Sequence, residues 1–287
     1  MSTSRARSPI PPLYTRLLDD AAVFPPGNAA LAEALVAHQV HRQAWYSDLV
    51  GALLVPATWR GELRSATPLA VGLIADAGLD VLAAALEAPA ENVSYVQVEA
   101  AVAKRGEDPG PGLRRLLTLL EGYEHPVYAE IPLTWGLLGA LDELAAARAS
   151  GRPVAAKFRT GGLASELFPT PMELAAVVCA CRDRGLPFKL TAGLHNAMRH
   201  TDPETGFTHH GFLNVLAATC AAAEGAEVVD VAALLGTTQP LTLLEAARRN
   251  RDAARPLWVG FGTCSVPEPL HDLVGLGLVH DPKDAQQ

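Results

Sequence analysis

Eight short apolar runs recur along this chain, separated by longer segments with helical periodicity, and that alternation restricts its fold more than any other feature. The runs are AAVF (21–24), DLVGALLVP (48–56), LAVGLIAD (69–76), VSYVQVEA (93–100), PVYAEIP (126–132), PVAAKFR (153–159), PFKLT (187–191) and LWVGF (257–261). Most are nearly continuous in apolar residues, as parallel strands covered on both faces should be. Between them, Leu31, Leu35, Val36 and Val40 share one face of a helix over 29–44. The segments 112–122, 135–149, 170–184, 211–224 and 241–252 are rich in alanine and leucine with polar residues interleaved. Pro169-Thr170-Pro171 marks a helix start, and Gly151 and Gly185 stand where helices should stop.

Eight strands and their helices in 287 residues predict an α/β fold, a single (β/α)8 barrel, for which ~250 residues is typical. The rival is an open doubly wound sheet, whose usual G-x-G-x-x-G turn is absent from the sequence. Residues 1–287 read as one barrel domain with short flexible ends at about 1–12 and 281–287. Residues 225–256 fit either an extra helix or an active-site insertion before the last strand.

A formal net charge of -8 argues against a nucleic-acid or anionic-membrane partner. No apolar run reaches the roughly 18 residues of a membrane span, and the charged opening MSTSRARSPIPPLY has no apolar stretch behind it. A cytoplasmic protein acting on a small molecule is therefore expected, and a homo-oligomer is compatible with the sequence. Cys179, Cys181 and Cys220 read as reduced, packed thiols. Cys264 differs, because it follows the last strand among Gly262, Thr263 and Ser265.

Functional groups of such a barrel collect where its strands end. The polar residues there are few: Glu99, Glu130, Lys157, Arg159, Lys189 and Thr191. Alternation puts Ala155, Lys157 and Arg159 on one face and Val154, Ala156 and Phe158 on the other. Lys189 and Thr191 likewise oppose Phe188 and Leu190. The apolar faces should meet the helices, turning both lysines into the barrel on neighbouring strands ~5 Å apart. Desolvation and mutual repulsion should then depress a lysine toward the nucleophilic free amine that forms Schiff bases. Glu130 is placed to carry a proton. The alternative is that Lys157 and Lys189 pair with Glu130 and Glu99 in an inert ionic plug.

These residues have a family counterpart. AKFRTGG resembles the sixth-strand K-T-S-T-G of deoxyribose-phosphate aldolases, and FKLTAG resembles their seventh-strand K-x-x-G-G. VYAEIP is similar to V-I-x-E-T, GFGTCS to R-x-G-T-S, and LLDDAAVFPPGNAAL to I-D-H-T-x-L-K-P, all in the same order along the chain. The resemblance implies a class I aldolase-like lyase in which Lys157 forms the Schiff base and Lys189 activates it. It also implies substrate contacts at Gly161, Gly162, Gly193, Gly262, Thr263 and Ser265. Arg159 and Thr160 depart from the small polar residues of that pattern, Leu194 replaces its second glycine, and Val259-Gly260 supplies no arginine. Glu99 is the nearest match to its middle-strand aspartate. These departures point to a substrate other than deoxyribose phosphate. The chain as a whole also looks like a set of actinobacterial proteins, which implies nothing about function.

After the seventh strand, GLHNAMRHTDPETGFTHHGFLN brings His195, His200, His209 and His210 into one loop. His195, nearest the strand end, reads as a catalytic or substrate-contacting residue. Three imidazoles and a carboxylate would also suit zinc or another divalent metal, although no H-E-x-x-H or H-x-x-E-H spacing occurs. Asp202-Pro203-Glu204-Thr205-Gly206 reads as a turn.

The glycine pairs Gly161-Gly162 and Gly262-Thr263 offer backbone N–H groups to an anion, or merely permit sharp turns. Asp19 and Asp20, which precede the first run, either reach substrate from the adjacent side or form a cap or solvated turn. The leading expectation is thus a cofactor-free Schiff-base lyase on a small, polar, anionic carbonyl compound whose anionic group Arg159 would help to hold. The alternatives are a metal-dependent lyase, hydrolase or isomerase, and a non-catalytic small-molecule binding protein.

Overall fold

The computed structural model describes residues 8–87 and 90–283. Eight parallel strands close into a barrel in chain order: β1 (Leu18–Asp20), β2 (Val50–Pro56), β3 (Leu69–Ile74), β4 (Val93–Ala101), β5 (Val127–Glu130), β6 (Val154–Arg159), β7 (Phe188–Thr191) and β10 (Trp258–Thr263), with β10 pairing back onto β1. A two-stranded antiparallel hairpin, β8 (His200–Thr201) and β9 (Thr208–His209), stands between β7 and the next helix. The helices are α1 (Leu31–Gln43), α2 (Leu79–Glu87), α3 (Pro109–Leu119), α4 (Leu137–Ala149), α5 (Pro171–Asp183), α6 (Phe212–Ala223), α7 (Val228–Gly236), α8 (Pro240–Arg249) and α9 (Pro267–Gly275). This is the (β/α)8 barrel that the alternating runs predict. Of the expected flexible ends, residues 1–7 and 284–287 lie outside the described residues, while Ile10 and Pro11 are buried.

The first strand differs from expectation. Leu18–Asp20 pairs with Phe261–Thr263 on one side and with Val50 and Leu53 on the other, whereas Ala21–Phe24 forms a turn. Two adjacent aspartates look like a loop, but each has a buried place. Asp19 points into the barrel, and Asp20 lies 3.0 Å from His38 Nδ1 of α1 while accepting the Ala22 N–H. The helices α2 and α9 also go beyond the sequence expectation. In 225–256 the extra helix is α7, followed by α8. Against α5, α7 and α8, the central helix α6 leaves only Ala221 and Ala223 unburied. Asn214 of α6 donates to Leu234 O and Thr237 O, both at 2.8 Å, and accepts the Arg199 N–H at 2.9 Å. Its full satisfaction lets a polar side chain pin the hairpin loop and α7 to the barrel.

Local sequence accounts for the elements around β6 and β7. Thr170 accepts the Glu173 N–H and Glu173 accepts the Thr170 N–H, a capping box that starts α5 and contributes ~1 kcal/mol. Gly151 and Gly185 take φ of 92° and 58° just beyond α4 and α5, where a Cβ would be disfavoured. Phe158 and Phe188 are fully buried, their rings 6.2 Å apart, each contributing about 1.5–3 kcal/mol of apolar burial. Alternation then leaves Lys157 and Lys189 no direction but inward.

Candidate active site

Glu130, Lys157 and Lys189 stand side by side in register across β5, β6 and β7. The two lysines are 4% and 2% exposed, so each ammonium needs a partner inside the barrel. Glu99, reaching in from β4, supplies one to each: its Oε1 lies 2.5 Å from Lys189 Nζ and its Oε2 2.8 Å from Lys157 Nζ. Lys157 also pairs with Glu130 Oε2 at 2.8 Å, and Glu130 Oε1 accepts from Arg159 Nε at 3.1 Å. At the other end Lys189 pairs with Asp19 Oδ2. The result is a ladder of alternating sign: Asp19, Lys189, Glu99, Lys157, Glu130, Arg159.

Neighbouring residues shape this ladder. Gln97, two residues before Glu99 on the same strand face, donates from Nε2 to Asp19 Oδ2 at 2.7 Å and to Glu99 Oε1 at 3.2 Å. Asp19 Oδ1 accepts the Ala52 N–H at 2.9 Å. A Cβ on Gly51 would stand 1.9 Å from Asp19 Oδ1, and one on Gly72 would stand 2.7 Å from Gln97 Cγ, so these glycines make the room. Lys189 Nζ also sits 4.8 Å from the centre of the Tyr128 ring.

The expected depression of the lysines is reversed by this arrangement. Burial lowers the Lys157 pKa, but Glu99 and Glu130 outweigh it and hold the amine above its ordinary 10.5. Burial also lowers that of Lys189, and Asp19 with Glu99 more than compensates, so it too is raised. Burial would raise Glu99, yet the two lysines hold it at about 2. Burial opposes and Lys157 with Arg159 favours the charged form of Glu130, leaving it below the usual carboxylate range. Repulsion between the amines does not develop, because a carboxylate lies between them.

At the strand ends, a cavity of about 130 Å³ is walled by Glu130, Arg159, Arg105, Pro132, Leu167 and Glu173, among others. Lys157 is not on its wall; Glu130 is, and it carries the contact down to Lys157. The Arg159 side chain is 43% exposed and the Glu130 side chain 17%.

The remaining expected residues fall into separate settings. Thr191 stands beside Arg159 and Gly262 in the sheet, and its carbonyl accepts the Thr160 N–H. Gly161 and Gly193 let the β6 and β7 loops touch: a Cβ on Gly161 would meet Gly193 Cα at 3.0 Å. Gly162 is packed against Leu167 and Gly262 against Leu54. Thr263 is buried, with its hydroxyl donating to Ser265 O at 3.0 Å. These contacts account for the small residues as packing and turn positions.

His195 does not join the ladder. Its Nδ1 lies 3.0 Å from Glu268 Oε2 of α9 and 3.9 Å from Cys264 Sγ. Nor do the four histidines converge. His200 Nδ1 lies 3.2 Å from Met198 O and its ring stacks on His209, which donates from Nδ1 to Gly193 O. His210 donates from Nε2 to Pro169 O at 2.8 Å, and burial lowers its pKa to about 4. Among the described residues no group of three or more His, Cys, Asp or Glu is placed to hold a metal ion.

Sequence reasoning passed over Gln97 and Tyr128, although strand alternation with Glu99 and Glu130 puts each on the inward face. Among the described residues, no helix is long and apolar enough to cross a membrane. In comparisons with known proteins, no family model, no curated protein and no solved structure matches this chain.

Proposed function

We propose that the protein is an enzyme that binds a small carbonyl compound at the strand-end mouth and forms an iminium with Lys157. The observation that carries this reading is the placement of Lys157 Nζ at 2.8 Å from both Glu99 and Glu130, with Glu130 on the wall of the mouth cavity. The amine rests as an ammonium, so attack requires a proton to leave first. Glu130 takes that proton, the free amine adds to the carbonyl carbon, and Glu130 returns the proton to the carbinolamine oxygen as water departs. The sum is ammonium plus carbonyl giving iminium plus water, with no net proton released. The cation therefore stays where Glu99 and Glu130 already neutralise it. An iminium then draws electrons from an adjacent carbon–carbon or carbon–hydrogen bond, which is lyase chemistry of the class I aldolase type. Arg159 faces the same cavity and suits a substrate bearing an anionic group.

Reductive trapping tests the reading. The protein is incubated with pyruvate, acetaldehyde, dihydroxyacetone phosphate or glyceraldehyde 3-phosphate and reduced with cyanoborohydride. Intact mass should rise by the substrate less one oxygen, peptide mapping should place the adduct on Lys157, and Lys157→Met should abolish it. An adduct confined to exposed lysines across the panel would overturn the proposal.

A second reading is supported by the mutual neutralisation of the ladder: a non-catalytic barrel whose ion pairs fix its interior. It is favoured if native mass spectrometry finds a retained small molecule that the protein never converts.

A further inference from the structure

A cavity of about 770 Å³ lies at the opposite end of the barrel from the mouth. Its walls include Pro126, Pro187 and Leu257, the residues that lead into β5, β7 and β10. It reaches inward to Lys189 and Asp19, the inner end of the charge ladder. Its size falls in the range of small-molecule sites.

Charge on this face runs against the acidic balance of the chain. Arg16, Arg148 and Arg255 all line the cavity, and among the described residues none of them is within ion-pair distance of a carboxylate. Arg255 spends its donors on backbone carbonyls, at 2.6 Å to Leu13 O, 2.7 Å to Trp258 O and 2.8 Å to Val259 O. Those bonds satisfy its geometry and leave its charge uncompensated. Among the described residues Arg148 donates only to Val154 O at 3.2 Å, and the exposed Arg16 guanidinium has no partner. Among the described residues Asp19 is the one acidic residue on the wall, and Lys189 already neutralises it.

Backbone conformation singles out the same face. Arg16 and Leu257 take φ of 51° and 53°, a left-handed conformation that residues with side chains rarely adopt, and Gly260 takes 136°. All three line this cavity. Such conformations persist where the surroundings dictate them, and they gather at ligand sites. Arg16 is thereby held at the rim with its guanidinium uncommitted.

We propose that this cavity binds a small organic polyanion, bearing carboxylate or phosphate groups, through Arg16 and Arg148 in the field of Arg255. The site is separate from the mouth and does not depend on chemistry at Lys157.

Isothermal titration calorimetry on the full chain, with citrate and with pyrophosphate as probes at matched ionic strength, tests this. At least one probe should bind one-to-one at sub-millimolar concentration. The double variant Arg16→Asn with Arg148→Gln should bind it roughly tenfold or more weakly. Asparagine suits the left-handed backbone at that position. Where the double variant is misfolded by circular dichroism, Arg16→Asn alone should weaken binding roughly threefold. Arg159→Ala, at the mouth, should leave binding unchanged. A response to citrate alone assigns a carboxylate ligand, and one to pyrophosphate alone a phosphate. Silence from both probes into the millimolar range, undiminished binding in a folded Arg16→Asn variant, or loss of binding in Arg159→Ala would overturn it.

Discussion

Lys157 and Lys189 are direct partners on adjacent strands, yet their ammonium groups are kept apart by the two oxygens of one carboxylate, that of Glu99. The interior is thus held by a shared counter-charge, and Glu99 is the residue on which both lysines depend. Glu99→Gln preserves shape and removes that charge, leaving each buried lysine with one carboxylate fewer. Breaking buried pairs in this way costs about 3–5 kcal/mol. Urea denaturation at neutral pH should show a loss of that size, and Lys157 in the folded variant should titrate lower than in the parent.

Acid should destabilise the protein in two stages. His210 has a folded pKa of about 4 against an ordinary 6.5, so the unfolded chain takes up a proton that the folded chain refuses. Its contribution is whole above 6.5 and is lost as pH falls toward 4. Glu99, at about 2 folded against 4.5, and Glu130, also lowered, contribute stability that is whole above 4.5 and is lost as pH falls toward 2. The raised lysines act oppositely, with stability complete below 10.5 and declining above it. Urea midpoints across pH should trace this profile, and His210→Gln should diminish the stage between 6.5 and 4, to which His41 and His209, both lowered by burial, also contribute.

Gly51 is a steric requirement of the ladder. A methyl there would stand 1.9 Å from Asp19 Oδ1, which would have to give up the Ala52 N–H and shift against Lys189. Gly51→Ala should cost about 1–3 kcal/mol as an overpacking change. Gly61→Ala, where a Cβ meets nothing within 4 Å, should change stability by no more than about 0.5 kcal/mol. Thermal denaturation of the two variants makes the comparison.

The thiols should divide three to one. Cys179, Cys181 and Cys220 are buried, and burial raises all three, Cys181 to about 12 and Cys220 to about 11. Cys264 is half-buried, and burial with the nearby Glu268 raises it as well. A disulfide reagent should modify one thiol slowly in the native protein and all four in guanidinium. Cys264→Ser should abolish the native reaction.

The barrel was legible because a buried parallel strand leaves a plain signature: Val154, Ala156 and Phe158 alternate with Ala155 and Lys157, so a single register assigns both faces. The same rule puts Gln97 beside Glu99. The first strand escaped because Leu18–Asp20 is two-thirds aspartate, and an acidic pair looks solvated until its partners are known. Those partners, Lys189, Ala52 and His38, come from distant parts of the chain. The direction of the lysine pKa values was hidden for the same reason. Proximity of Lys157 to Lys189 follows from adjacent strands, and Glu130 and Glu99 stand out as partners for the same reason, whereas Asp19 of β1 reaches Lys189 only through barrel closure. The histidine loop misled because closeness in sequence brings four imidazoles into one segment, while the hairpin turns His200 and His209 toward each other and His210 toward Pro169.

The order of signs along the chain has a consequence for how the molecule can be assembled. Asp19, Glu99 and Glu130 all precede β6, and Lys157, Arg159 and Lys189 all follow β5. A chain cut at the Ser150-Gly151 turn would divide into one fragment with only interior carboxylates and another with only interior cations. Neither half-barrel can close over its own charges, so each is the other's counter-ion. During synthesis from the N-terminus, the interior therefore stays uncommitted until β6 and β7 emerge to complete it.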